Sequence, residues 1–302
     1  MSFKKLLNNP NIKELLKPMS KPSIQIAIDK IANCPIGSSK VGGKPDLPTD
    51  FKWFYFDVED DDGTVDKYPL SFLAQINCED VHQYDKDSLL PTNGMLYFFY
   101  EMDTFSWGFD PKNKGSARVY YHPGDVSELH RTDFPPDFPE EYQLPEMPMT
   151  FSVKNELPSF DEFFEQYNDD DNYEWEYEDV CKYDDTIAEM GFESVHGDDE
   201  KEEAITKLLG YASVIQNSML LECEKVTNGI YCGEATNIPP DILRQHKENS
   251  KQWQLLFQLD SIYLDNREIV MWGDMGRLFY YIKIDDLKNM NFENCWLILQ
   301  CG

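Results

Sequence analysis

Trp253-Gln254-Leu255-Leu256-Phe257-Gln258-Leu259-Asp260-Ser261 is a short apolar run with glutamine inside it and a carboxylate at its exit. Its length and composition predict a buried strand. Far upstream, Ser71-Phe72-Leu73-Ala74-Gln75-Ile76-Asn77 repeats the design. With Gln75 set on Gln258, Phe72, Ala74 and Ile76 match Leu255, Phe257 and Leu259 on one strand face. Leu73, Gln75 and Asn77 then match Leu256, Gln258 and Asp260 on the other.

The match extends outward. Gly94-Met95-Leu96-Tyr97-Phe98-Phe99-Tyr100 aligns with Gly276-Arg277-Leu278-Phe279-Tyr280-Tyr281-Ile282 at an offset shorter by one residue, and Ser39-Lys40-Val41-Gly42-Gly43 resembles Thr206-Lys207-Leu208-Leu209-Gly210. These correspondences predict a β-rich α+β fold: a duplicated antiparallel β unit with a pseudo-twofold relation and peripheral helices. The expected layout is a single domain over 1–302. Its repeats run roughly over 20–125 and 204–301, joined by a Pro-rich, acidic connector over 126–203. The two glutamines are expected at the interface the repeats share.

Other segments fill in around this frame. Phe3–Leu16 reads as a helix stopped by Pro18, with Asn8-Asn9-Pro10 as a possible break, and Ser23–Asp29 alternates as a half-buried strand with Ile24, Ile26 and Ile28 on one side. Phe51–Phe56 and Thr64–Leu70 read as strands about an Asp61-Asp62-Gly63 turn, and Ala117–His122 as a further strand. Residues 123–158 read as a proline-rich surface wrap. Phe160–Tyr167 reads as a helix capped by Ser159 with Asp161 and Glu162 in its first turn. Glu200–Leu209 reads as a helix ended by Gly210, and Pro239–Glu248 as another; residues 214–224 fit helix and strand equally. Ile269–Trp272, Arg277–Ile282 and Trp296–Gln300 follow as strands, with a helical turn at Asp285–Leu287.

Composition bounds the function. The 302 residues carry 27 basic and 56 acidic side chains, a net charge of −29. Such a field repels nucleic acid and anionic membrane and attracts a basic protein. Acidity peaks from Glu156 to Glu203, with twenty carboxylates against two lysines. Seven cysteines, with no CxxC pair, fit neither a zinc framework nor a disulfide scaffold, which points to reduced thiols and a cytoplasmic location. No run reaches membrane-span length and no signal-peptide core stands at the start.

Familiar motifs fail on inspection. Gly37 and Gly42 have phosphate-loop spacing, but Gly43 stands where the lysine belongs and Lys44 precedes Pro45. Asp169 and Asp171 open an EF-hand pattern that Tyr173 and Glu174 break. The five histidines lack metal-binding spacing, and no local signature ties a cysteine or serine to a histidine.

The ordered set Ser39 to Pro48, Phe72 to Asn77, Gly94 to Phe99, Leu255 to Ser261 and Trp272-Gly273-Asp274 resembles the YwqG family, a domain of unknown function (DUF1963), over roughly residues 20–301. The resemblance implies a cytosolic α+β protein with a duplicated β-rich unit. It supplies no catalytic residue. Members of this kind are sometimes associated with toxin–immunity loci.

The candidate cleft or interface residues are Gln75, Asn77, Trp107, Asp110, Gln258, Asp260, Trp272 and Asp274. Buried amides demand specific partners, and paired carboxylates suit acid–base work or a hard metal. The same residues also suit interface hydrogen bonding and ordinary turns. Lys40, Lys44 and Arg118 are candidate anion contacts, with internal neutralisation of carboxylates as the plainer role. No cofactor or metal site is expected. The leading expectation is a non-enzymatic protein-binding module, one version being an immunity-type inhibitor of a basic toxin. The alternative is a small-molecule or metal-dependent hydrolase that uses Asp260 and Asp274 in an inter-repeat cleft.

Overall fold

Alternating and continuous apolar runs become strands where a sheet face can bury them. The computed structural model describes residues 3–59, 63–168, 173–193, 205–234 and 236–302. In its N-terminal part the strands are β1 (Lys21–Ile28), β2 (Lys40–Val41), β3 (Asp46–Pro48), β4 (Tyr55–Glu59), β5 (Val65–Pro69), β6 (Ser71–Asn77), β7 (Met95–Tyr100), β8 (Ala117–His122), β9 (Leu129–Arg131) and β10 (Met147–Glu156). Then come β11 (Thr206–Leu209), β12 (Trp253–Asp260), β13 (Ile262–Leu264), β14 (Arg267–Val270), β15 (Arg277–Lys283) and β16 (Trp296–Gln300). The helices are α1 (Phe3–Leu7), α2 (Ile12–Leu16), α3 (Cys78–His82), α4 (Phe160–Tyr167), α5 (Tyr177–Glu189), α6 (Leu220–Thr227), α7 (Pro240–Ser250) and α8 (Ile284–Lys288).

Ten strands form one antiparallel sheet in the order β16-β15-β12-β11-β1-β10-β2-β6-β7-β8. The β1–β10 pair is its seam. Outward from the seam, β11-β12-β15-β16 on one wing stands where β2-β6-β7-β8 stands on the other. The two sequence runs thus occupy equivalent places, as the second strands outward from the seam. The large antiparallel sheet and the peripheral helices are those expected.

The sheet curls until the inner faces of its wings meet. Phe98 of β7 packs on Phe257 of β12 with ring centroids 4.3 Å apart, and Tyr280 Oη of β15 donates to the Phe99 carbonyl at 2.9 Å. Ile24, Ala74, Ile76, Leu96, Leu259, Leu278 and Leu299 complete this shared core. Each edge is covered from the opposite wing: Leu299 N of β16 donates to Trp107 O at 3.0 Å, and Phe292 packs on Tyr121 of β8. One outer face buries Phe72, Tyr97 and Phe99 beneath the β3–β9 and β4–β5 ribbons, with Leu47 of β3 in the same cluster; the other buries Leu255, Phe279, Tyr281 and Ile298 beneath α6. A third cluster joins α1, α2, α4 and α5 through Phe3, Leu16, Phe160, Phe163 and Tyr183.

Four expectations change. Met147–Glu156, read as surface wrap, is a ten-residue strand whose whole length from Met149 to Glu156 pairs with β1. Its signal is the alternation Met147, Met149, Phe151, Val153, which the surrounding prolines obscured. Residues 206–209, read as helix, form β11, because β1 and β12 offer edges on both sides. Residues 51–54 precede β4 as an aromatic coil packed on Phe99 rather than as strand. Finally, each repeated run contains a β-bulge, between Phe72 and Ala74 in β6 and between Leu255 and Phe257 in β12. The extra residue reverses the alternation. Phe72 therefore shares a face with Gln75 rather than with Ala74, and Leu255 shares one with Gln258 rather than with Phe257. Asp61, Asp62, Asp169, Asp171 and residues 200–204 lie outside the described residues.

Candidate functional site

The bulges turn both glutamines away from the shared core. Gln75 Oε1 accepts from Asp46 N at 2.9 Å, while Nε2 donates to Ser38 O at 2.9 Å and Asp46 Oδ2 at 2.8 Å. Gln258 Oε1 accepts from Ser213 N at 2.9 Å and Nε2 donates to Ile205 O at 2.7 Å. Both are fully buried, each pinning the chain that crosses its own wing's outer face. This corrects the expectation that they meet at a shared interface.

The next polar pair acts alike. Asn77 Nδ2 donates to Gly37 O at 3.0 Å and its Oδ1 caps α3 at Glu79 N. Asp260 Oδ2 accepts from Ile205 N at 2.8 Å and from Arg277 Nε at 2.9 Å. Trp272 is wholly buried in the shared core and donates to Asp260 O. Asp110 caps a short turn at Lys112 N, and Asp274 is an exposed turn residue whose carbonyl accepts from Gly302 N. Trp107 is half-exposed over the β16 edge. These eight residues do not line one cleft: four hold loops on two different outer faces, one fills the core, one covers the β16 edge, and two build turns.

Two of the three candidate anion contacts, Lys40 and Lys44, are internally used. Lys40, wholly buried, donates to Glu146 Oε1 and to Lys44 O, each at 2.7 Å, and Lys44 pairs with Asp133 at 2.6 Å. Arg131 completes the buried group, bonding Asp46 at 2.6 Å and Glu146 at 2.8 Å. Arg118 lies partly buried on β8 beside Gly115. Lys207, at the place on β11 that Lys40 holds on β2, pairs with Glu156 at 2.9 Å. Among the described residues, no three His, Cys, Asp or Glu side chains are placed to hold a metal ion.

The structure points instead to a cavity of about 250 Å3 lined by Asp161, Phe164, Glu165 and Asn168 of α4 and its exit, Trp175, Asn217, Ser218, and Lys247 of α7. Amphipathic α4 turns Phe160 and Phe163 into the helical cluster, which leaves Glu162 and Glu165 facing the α6 side of the C-terminal wing. Glu165 Oε1 accepts from Leu221 N at 2.9 Å. Burial pushes the Glu165 carboxyl up to about 7 and the deeper Glu162 carboxyl up to about 8, against the opposing charges of Lys247 for the first and of Lys21 and Lys207 for the second. Behind them Glu222 is also raised by burial.

Sequence reading placed Asp161 and Glu162 as first-turn acids and missed the cavity. The periodicity of α4 shows which face is apolar, but not that α6 and α7, more than fifty residues later, close over the other. Asp161 in that first turn does reach the cavity wall. A family model described as a domain of unknown function (DUF1963) matches residues 39–301. That span covers nine of the ten strands of the sheet and all of the cavity's lining residues. No curated protein matches the chain.

Proposed function

The chain belongs to the DUF1963 family, and within that family we propose that it is a non-enzymatic module, built from a duplicated β unit, that captures a basic protein. The observation that carries this reading is the surface around α4 and α5. Tyr167, Trp175 and Tyr177 are 37, 44 and 76 % exposed there. They stand on a stretch whose exposed or partly exposed acids include Asp161, Glu174, Glu176, Glu178, Asp185 and Glu189. Aromatic anchors within a predominantly acidic rim, with Lys182 among the acids and Lys13 paired to Glu189, have the composition of a binding surface, and complementary charge speeds encounter. An immunity-type inhibitor of a basic toxin is the concrete version, and a cytoplasmic location goes with it.

The test is binding of a basic protein such as cytochrome c at rising salt, with Trp175→Ala and Tyr177→Ala beside the unaltered chain. The expected result is a salt-sensitive association that each substitution weakens about tenfold. Retention that both variants leave unchanged reduces the effect to net charge and sinks the reading.

The second reading, a hydrolase, moves to a different residue. Asp260 is held by Arg277, whereas Glu165 sits in a cavity with its proton affinity near neutrality, as a general acid requires. Hydrolysis of a panel of chromogenic esters and glycosides that Glu165→Gln abolishes would support it; an identical profile for both proteins removes it.

A further inference from the structure

Polar atoms without partners gather at and behind the floor of the α4 cavity. Among the described buried side chains, nine nitrogen or oxygen atoms lack a hydrogen bond, and four are of this region: Ser218 Oγ on the cavity lining itself, and Glu162 Oε2, Glu222 Oε2 and Tyr281 Oη behind the lining. Ser218 is 5 % exposed and lines the cavity, its hydroxyl beside Glu165 but in no hydrogen bond of ordinary geometry. Glu162, Glu165 and Glu222 all lie within electrostatic reach of Tyr281, and Asn217 Nδ2, from the wall, donates to Glu222 Oε1 at 3.1 Å. Buried polar groups are nearly always satisfied, so such a concentration marks a place where something else supplies the partners.

The chemistry of that partner follows from the donor count. On the lining, the Asp161 and Glu165 carboxyls and the Ser218 hydroxyl form an acceptor-rich set, and the Glu162 and Glu222 carboxyls and the Tyr281 hydroxyl lie behind it. Guanidinium offers five N–H donors and ammonium three, with no acceptor to clash. The walls include Phe164 and Trp175, faces on which a planar cation stacks. Lys247 is the single cation among the lining residues, and it does not outweigh Asp161 and Glu165 there once Glu165 has lost its proton. The volume, about 250 Å3, is ample for such a head group with its last methylenes.

We propose that this cavity is a receptor for one guanidinium or ammonium head group, carried on a basic side chain of the captured protein. The source of the cation rests on the capture reading above; the cavity chemistry does not. Near pH 7 burial keeps a proton on Glu162 and, about half the time, on Glu165, and it raises Glu222 in the same direction. A cation therefore enters by displacing these protons, and binding tightens as pH rises. The groups facing these carboxyls are Lys21 of β1, Lys207 of β11, Lys225 of α6, Lys247 of α7 and Tyr281 of β15, with Tyr183 and Tyr211 beside Glu162.

The full chain is titrated calorimetrically with propylguanidinium, with propylurea as its neutral isostere and with tetramethylammonium as a cation lacking N–H donors. Propylguanidinium is expected to bind at least about tenfold tighter than either control. Its binding should release protons, seen as buffer-dependent heat, and tighten about tenfold between about pH 6.5 and about pH 8.5. Glu165→Gln and, separately, Trp175→Ala should each weaken it about tenfold. Because Trp175 is half-exposed, its variant keeps the test alive if Glu165→Gln misfolds. Equal binding of propylurea, or no heat with any cation, overturns the proposal. Acetyl-Gly-Arg-Gly-amide should bind as well as propylguanidinium, and its exclusion overturns the side-chain source. Capture of cytochrome c that propylguanidinium does not compete and Glu165→Gln does not weaken sinks the cavity assignment alone. An occupied cavity without capture sinks the capture reading alone.

Discussion

Gln75 shows what one amide does when it is buried on a sheet face. Gln75→Leu keeps the volume but strands the Asp46 N–H and the Ser38 carbonyl. A loss of about 2–4 kcal/mol is expected from urea unfolding, more than Gln254→Leu, whose Nε2 has no partner to lose. Glu162 acts in the opposite sense. Its folded value, about 8, lies above the ordinary carboxyl range because burial disfavours the charge. The folded chain thus keeps a proton that the unfolded chain releases. The stability this proton contributes is complete below the unfolded value and is lost as pH rises through about 8. Glu162→Gln should flatten that decline and unfold at higher urea than the unaltered chain at about pH 9, with little difference at about pH 4. A decline of equal slope in both proteins removes Glu162 as its source.

At the scale of elements, backbone contacts carry the specificity. Gly108 (φ +84°) precedes the edge strand's cover so closely that a Cβ there would stand 2.0 Å from Leu297 O. Gly108→Ala should push the cover off β16, break the Trp296 Nε1 bond to Gly108 O, and cost more than about 2 kcal/mol. Hydrogen exchange at Leu299 N, which bonds Trp107 O, should accelerate well beyond that at Phe257. The strand exits obey the same logic: Gly42 and Gly43 leave β2 through left-handed conformations, and Leu209 and Gly210 leave β11 likewise. That likeness was legible in the sequence as Ser39–Gly43 against Thr206–Gly210, and it was a better guide to β11 than helix propensity. The apolar runs of β6, β7, β12 and β15 were legible for the same reason. The bulges were not, because an inserted residue leaves an all-apolar run looking unchanged. Gln75 and Gln258 were therefore recognised as paired but set on the wrong side. The Glu165 cavity escaped because it joins α4 to α6 and α7, and no local pattern encodes which helix covers which face.

Across the whole molecule the wings share one core, so neither is a separate body. Phe98→Ala should cost about 3–5 kcal/mol, and tryptophan fluorescence and far-ultraviolet circular dichroism should still report one coincident transition. Two resolved transitions would mean that the wings unfold independently. The seam between them has a further consequence for how the chain is made. Ile28 pairs with Met149, and Lys21 with Glu156, whereas β6, β7 and β8 follow one another closely in the chain. At ordinary rates of synthesis β1 leaves the ribosome about ten seconds before β10 exists, and β11 comes later still. Through that interval Ile24 and Ile26 belong to a strand with neither neighbour, beside a wing already able to assemble. The seam cannot close before β10 emerges, and β1 is the segment that a nascent-chain chaperone has most reason to hold.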